Sequence, residues 1–216
     1  MSVQDIYRQF IAGMLQTTFL EYIAVFFGIG SVWYSRMENI LVYPVGLVNT
    51  IIYIYLSLKG HLLGEASVNL FYTIMSIYGW VLWTRKDSKK RPVVEITHSS
   101  TREWLNDFLF FGVIYASIFI SLTISKKYFT PGAIPWADAL ASATAFTGMW
   151  LMAKKKVESW YWWIATNTAS MPLYFVKGYV FTSVFYFVLL VMAFSGLAEW
   201  KRKADSPKQS PFNLIS

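Results

Sequence analysis

Residues Glu158–Gly178 read ESWYWWIATNTASMPLYFVKG. Between the charges of Glu158 and Lys177 the run is mostly apolar, with Asn167 nine residues from the first and ten from the second. If those charges mark the two surfaces of a bilayer, Asn167 lies near the midplane, where an unpaired amide is costly. Helical spacing puts Trp163, Asn167, Ser170 and Tyr174 on one face, and Pro172 is expected to loosen the helix beside that stripe. A face turned to lipid has no use for such side chains. The stripe is either a polar seam joining helix to helix or the wall of a pathway.

Composition supports the bilayer. The 216 residues are 56% hydrophobic, 19% aromatic and 14% charged, whereas a soluble domain carries about 25% charge. The chain has no cysteine, which rules out disulfides, iron–sulfur clusters and thiolate metal sites. Its two histidines, His61 and His98, fall in connecting segments, so no metal site or cofactor is expected within the membrane. The net charge of +7 does not point to nucleic acid, because the bases flank apolar spans as topology signals do.

Seven apolar segments, each near the ~20 residues that cross a bilayer, are expected at 18–35, 40–58, 65–83, 104–125, 135–153, 160–176 and 180–199. Trp33, Tyr43, Trp83, Trp104, Trp136, Trp160 and Trp200 mark many of their ends, as an aromatic belt would. Before them, residues 1–17 place Ile6, Phe10 and Met14 on one face with Ile11 and Leu15 beside it. No basic n-region opens the chain, so an interfacial helix is expected there rather than a cleavable signal. Fourteen of the 19 bases gather on one side of the seven spans, at Arg36, in 84–103, at Lys154–Lys156 and in 201–216. The positive-inside rule then puts the C-terminus in the cytoplasm and the N-terminus outside.

The chain also repeats itself. Asn49 precedes Lys59-Gly60 by ten residues, as Asn167 precedes Lys177-Gly178. Gly79 stands four before Trp83, as Gly196 does before Trp200; Gly28, Arg36 and Glu38 match Gly148, Lys156 and Glu158 at equal intervals. Four spans separate equivalent helices, so the two copies share one orientation. The expected organisation is an interfacial segment (1–17), a first three-helix repeat (18–83), a basic cytoplasmic loop (84–103), a linker helix (104–125), a second repeat (133–200) and a cytoplasmic tail (201–216). That is an all-α integral membrane protein with seven transmembrane helices in a 3+1+3 arrangement. Transporters built from repeats bind substrate near the midplane, at the repeat interface. On this reading Asn49 and Asn167 face each other at equal depth across a pseudo-two-fold axis.

The candidate substrate contacts are Asn49 and Tyr53 on the second span, Asn69, Tyr72, Thr73 and Ser76 on the third, and Trp163, Asn167, Ser170 and Tyr174 on the sixth. Trp80 shares the face of the third-span group. Aromatic faces attract flat cations, while amides and phenols bond sugar hydroxyls. A flat cationic ring bearing a polar group fits this inventory better than sugar alone. Glu21, Glu65 and Asp138 lie at the outer ends of the first, third and fifth spans, either drawing a cation to the mouth or complementing helix dipoles. No ionisable group lies near the middle of spans 2, 3, 6 or 7, which favours facilitated diffusion over ion coupling.

ENILVYPVGLVNTIIYIYL (38–56), NLFYTIMSIYGWVLWTRK (69–86) and WYWWIATN (160–167), followed by KGY and G-x-x-x-W, resemble the PnuC-type nicotinamide riboside transporter family over about residues 18–203. The resemblance implies a SWEET-like 3+1+3 fold in the bacterial inner membrane, often trimeric. It further implies nicotinamide riboside uptake without ion coupling, drawn inward by a cytoplasmic kinase that phosphorylates the nucleoside. Trp162, Trp163 and Asn167 carry over from it as substrate contacts. Relatives of the same type carry thiamine or riboflavin, so those substrates stay open. A seven-helix receptor or light sensor is the rival from another class, but 180–199 holds no Schiff-base lysine and a receptor needs no duplication. No H-E-x-x-H or G-x-S-x-G motif points to an enzyme.

Overall fold

Helix ends are written into the chain at identifiable residues. Thr18 accepts from the Glu21 amide at 3.3 Å while the Glu21 carboxylate takes the Thr18 amide at 2.5 Å, a reciprocal capping box. Ser100 and Glu103 form a second one. Farther on, Pro135 starts a helix at a position where no amide is needed, and the Asp138 carboxylate takes the Ile134 amide at 2.6 Å. The computed structural model describes residues 3–60, 63–125 and 133–206. His61, Lys126, Lys127 and Lys208 lie outside the described residues. The helices are α1 (Val3–Gln16), α2 (Phe19–Arg36), α3 (Val42–Lys59), α4 (Leu63–Thr84), α5 (Thr101–Ser125), α6 (Pro135–Ala153), α7 (Ser159–Val176) and α8 (Val180–Asp205).

Each of the seven expected spans contains a helix, and α8 continues six residues past the expected end at 199. By length and composition α3, α5 and α8 could each cross a membrane alone, and α1 and α2 form a pair bent by 104°. The others are diluted by the polar and aromatic stripes they carry. Pro172 does not break α7; Ser183 of α8 instead donates to the neighbouring Met171 carbonyl at 2.7 Å.

Helix contacts close a circuit: α2 packs on α3, α3 on α4, α4 on α6, α6 on α7, α7 on α8, and α8 back on α2. α5 packs on α6 and α1 on α8, outside that circuit. The second half of the circuit repeats the first at a spacing of 117 residues. α3 starts at Val42 and α7 at Ser159, they end at Lys59 and Val176, and α4 and α8 start at Leu63 and Val180. Glu38 and Lys155, two residues past the ends of α2 and α6, both take left-handed backbone, with φ of 60° and 54°. Few non-glycine residues adopt that conformation, so its recurrence fixes the register.

At this spacing most of the letter matches change: Lys59 corresponds to Val176, Gly60 to Lys177, Gly28 to Ala145 and Arg36 to Ala153. Asn49 corresponds to Thr166 and Asn167 to Thr50, so the two asparagines are not equivalent and do not form the symmetric pair expected from the sequence. Glu38 corresponds to Lys155, not to Glu158. The match of Gly79 and Trp83 with Gly196 and Trp200 holds.

Those four residues anchor the core, at the end of the circuit where the bases gather. Tyr43 meets Trp83 edge-on at 5.1 Å, and its counterpart Trp160 meets Trp200 edge-on at 5.6 Å. A methyl on Gly79 would overlap the Tyr43 ring, and one on Gly196 would overlap Trp160. The outer indoles cross between halves: Trp83 donates to the Ala153 carbonyl and Trp200 to the Ser35 carbonyl, each at 3.0 Å. In a bilayer such bonds contribute about 0.6 kcal/mol on average, so close packing of the four rings carries most of the cohesion. Glu38 adds a fork across the halves, to Lys155 at 2.8 Å and Lys203 at 3.2 Å.

The basic segment 84–103 is more than a solvated charge run. Thr97 pairs with the α6–α7 connection through Lys155 and Val157, and Ile96 is buried in the core. His98 joins Glu158 at 3.3 Å to Asp205 at 3.0 Å. Those two acids, Asp205 foremost, push the imidazole pKa above its ordinary value.

Candidate substrate site

The polar residues of α7 point in two directions. Trp163 lies against Gly148 of α6 and faces Tyr72 of α4 across the circuit at 6.5 Å between ring centres. Trp162, one position earlier, is turned about 100° away on the helix and packs on Phe108 and Phe111 of α5. The structure therefore gathers Trp163 with the interior group and sets Trp162 apart, on the connector side.

Asn167 follows Trp163 by one turn. It is 4% exposed and its side chain makes no hydrogen bond to a described residue. Its amide atoms are not among the fully enclosed polar atoms left without a partner, so the amide stays open to a hydrogen bond from a ligand. Ser170 is buried beside it on the same helix. Next, Tyr174 stacks on Tyr186 of α8 at 5.2 Å, and the Tyr186 hydroxyl approaches those of Tyr174 and Ser170. Tyr53 of α3 and Tyr72 of α4 lie within electrostatic range of the same hydroxyl. Four tyrosines from four helices thus converge inside the circuit, with Trp163 and Asn167 below them. Phe146 of α6 closes the wall, packing on Phe71 at 4.0 Å and Tyr72 at 5.9 Å.

The remaining candidates are engaged in holding helices. Asn49 donates to the Ala24 carbonyl of α2 at 2.7 Å, at a point where Gly28 leaves room for the amide. Thr73 meets Thr50 at 2.9 Å and its own Asn69 carbonyl at 2.9 Å, Asn69 donates back to Glu65 within α4, and Ser76 is buried near Gly46. Trp80 is 38% exposed. In the second half a matching hydroxyl pair, Thr166 on Thr144 at 3.0 Å, ties α7 to α6.

Tyr186, Phe146 and Thr144 were not singled out from the sequence. The signal for Tyr186 was present: it follows the polar Ser183 by one turn within a mostly apolar run.

The acids at the far end divide likewise. Glu21 caps α2, and Asp138 caps α6 while pairing with Lys177 at 2.6 Å. Glu65 is exposed and lies within electrostatic range of Lys177, Asp138, Tyr53 and Tyr186. Glu21 lies within electrostatic range of Tyr53, and Asp138 of Tyr174, so all three acids stand around the mouth of the tyrosine cluster. Two pockets of about 350 and 300 Å³ open elsewhere, beside α8 and beside α5 at the basic end.

The family model described as Nicotinamide mononucleotide transporter matches residues 18–202. The chain is 22% identical over 213 residues to the Nicotinamide riboside transporter PnuC of Escherichia coli, covering 89% of each. It is also 22% identical to the Riboflavin/roseoflavin transporter RibM of Streptomyces davaonensis, over 76% of this chain and 75% of that one. A crystal structure of the vitamin B3 transporter PnuC shares the fold, with a TM-score of 0.68 at 20% identity, covering 94% of this chain and 89% of the other.

Proposed function

This chain belongs to the nicotinamide mononucleotide transporter family, and we propose that it carries nicotinamide riboside into the cell by facilitated diffusion. The observation that carries the reading is Asn167, a 4% exposed residue whose amide bonds no described residue, placed between a tryptophan face and a group of tyrosine hydroxyls. The pyridinium ring of the substrate would lie against Trp163 and Tyr72, where the ring quadrupoles favour a cation. Its polar group would pair with Asn167, and its ribose hydroxyls with Ser170, Tyr174 and Tyr186. Glu65 would raise the local concentration of a cation at the mouth.

In this reading the chain has seven spans in a 3+1+3 order, sits in the bacterial inner membrane, and keeps the basic end in the cytoplasm. The bonds between halves at that end then hold the inner side shut, so substrate enters this conformation from outside. Phosphorylation by a cytoplasmic kinase would trap the nucleoside and maintain the gradient. The trimeric assembly implied by the resemblance is carried into the same proposal.

Titration of purified protein with nicotinamide riboside, thiamine and riboflavin side by side is expected to give tightest binding to the first. Tighter riboflavin binding would favour the second reading, for which the likeness to RibM speaks. In proteoliposomes, internal substrate should rise to the external concentration and stop; accumulation driven by a pH or sodium gradient would contradict facilitated diffusion. A Ser88→Cys variant should react with an impermeant thiol reagent only after cells are opened.

A further inference from the structure

The connector helix α5 has one apolar flank open to lipid: Leu105, Phe108, Leu109 and Val113 are 55% to 70% exposed, and the helix packs mainly on α6, with Trp104, Phe108 and Phe111 also meeting Tyr161 and Trp162 of α7. Between α5 and α6, at the basic end, opens the pocket of about 300 Å³, with Asn106, Asp107 and Phe110 on one wall and Trp150 and Lys154 on the other. Glu103 and Lys156, at its rim, are paired with each other at 2.8 Å. The other two charges are not. Asp107 is 5% exposed and its Oδ2 is buried with no hydrogen-bond partner among the described residues. Lys154 lies over the Trp150 ring at 4.0 Å, close enough to Asp107 to sense its charge yet not in contact with it.

Depth makes this arrangement costly without a ligand. Asp107 is six residues into α5, roughly 9 Å along the axis at 1.5 Å per residue. The helix has 25 residues and is therefore longer than the ~30 Å hydrocarbon layer, which puts Asp107 just inside the boundary. A lone carboxylate there requires a partner, and the pocket holds a negative and a positive group apart on opposite walls. That spacing suits a zwitterion.

We infer that this pocket binds the headgroup of an ethanolamine phospholipid from the inner leaflet. The primary ammonium donates to Asp107 and to the Asn106 side-chain oxygen, the phosphate pairs with Lys154, and the acyl chains run down the exposed flank of α5. Choline lipids lack the N–H donors that Asp107 needs, and glycerol lipids lack the cation. The site lies outside the six-helix circuit and does not depend on which vitamin is carried.

The test is native mass spectrometry of the delipidated full-length protein, offered phosphatidylethanolamine, phosphatidylcholine and phosphatidylglycerol with identical acyl chains. The ethanolamine lipid should be retained about tenfold over the others, as a charge-assisted hydrogen bond in a protected site implies. Asp107→Asn, close to isosteric, should abolish that preference while leaving the lipid-free melting temperature unchanged. Lys154→Gln should weaken all three lipids alike and serves as the second variant if Asp107→Asn does not fold. Equal retention of the three lipids by the parent protein would overturn the assignment, as would a preference surviving Asp107→Asn. Competition by soluble glycerophosphoethanolamine at equal concentration would show a soluble occupant and overturn it too.

Discussion

Asn49 and Asn167 are the same residue type, one position out of register, in the two helices that α2 and α6 lead into. Asn49 bonds a backbone carbonyl of α2 and is finished. Asn167 is more deeply buried and has no such bond. A duplicated frame has therefore assigned one amide to cohesion and left the other available. On the proposed reading, symmetry points to the pathway and departure from symmetry to the site. In the first half, a glycine at position 28 leaves room for the Asn49 amide against α2; in the second, Ala145 stands at the corresponding position.

The strongest way to break the comparison is Asn167→Leu. It keeps the volume and the helix but leaves the ligand's polar group unpaired, at about 1–3 kcal/mol, or roughly 5- to 150-fold in affinity. Normal affinity in the folded variant, read by titration, would remove Asn167 from the site. Trp163→Leu should weaken binding by about 2- to 30-fold, following a cation–π contribution of about 0.5–2 kcal/mol, with Trp163→Phe between it and the parent. An identical loss in both variants would show that the ring face is not what the ligand meets.

Asn49→Leu should do the reverse: lower the melting temperature by the worth of one helix-to-helix bond, about 0.6 kcal/mol, and leave substrate affinity unchanged. A drop in affinity without a drop in stability would make the asparagines alike after all. The smallest expected effect concerns His98, whose raised pKa means that its contribution to stability is complete below the ordinary value of about 6.5 and lost as pH rises through the folded value. The melting temperature should fall across that window in the parent and less in His98→Gln; parallel curves would mean that His98 does not help hold the basic end.

Much of the frame was legible because lipid imposes a length: seven apolar segments of the right size each contain a helix. The register of the repeat was not, because matching letters misled. Asn, Glu and Lys recur at spacings of 118 and 120, while the positions that correspond in space hold different residues, Tyr43 with Trp160 and Glu38 with Lys155. What persists there is ring size, or a left-handed bend, and neither is a letter. The stripe Trp163, Asn167, Ser170 and Tyr174 could be read from helical period alone. Trp162 could not share it, since neighbours on a helix point apart. Tyr186 stayed hidden in an apolar run where a tyrosine passes for part of the interfacial belt, and the hold of 84–103 on the core rests on Ile96 and Thr97 amid a crowd of charges.

The crossed indoles of Trp83 and Trp200 have an ancestral meaning. Each takes its carbonyl from the opposite half, so a single three-helix unit, standing alone, would bury an indole N–H with nothing to bond. Two copies of one such unit, side by side in the same orientation, would each answer the other's need. The present chain has, inside one polypeptide, the reciprocal contact that a symmetric dimer of such units would make, and in the proposed 3+1+3 order the connector α5 would let both copies keep one orientation.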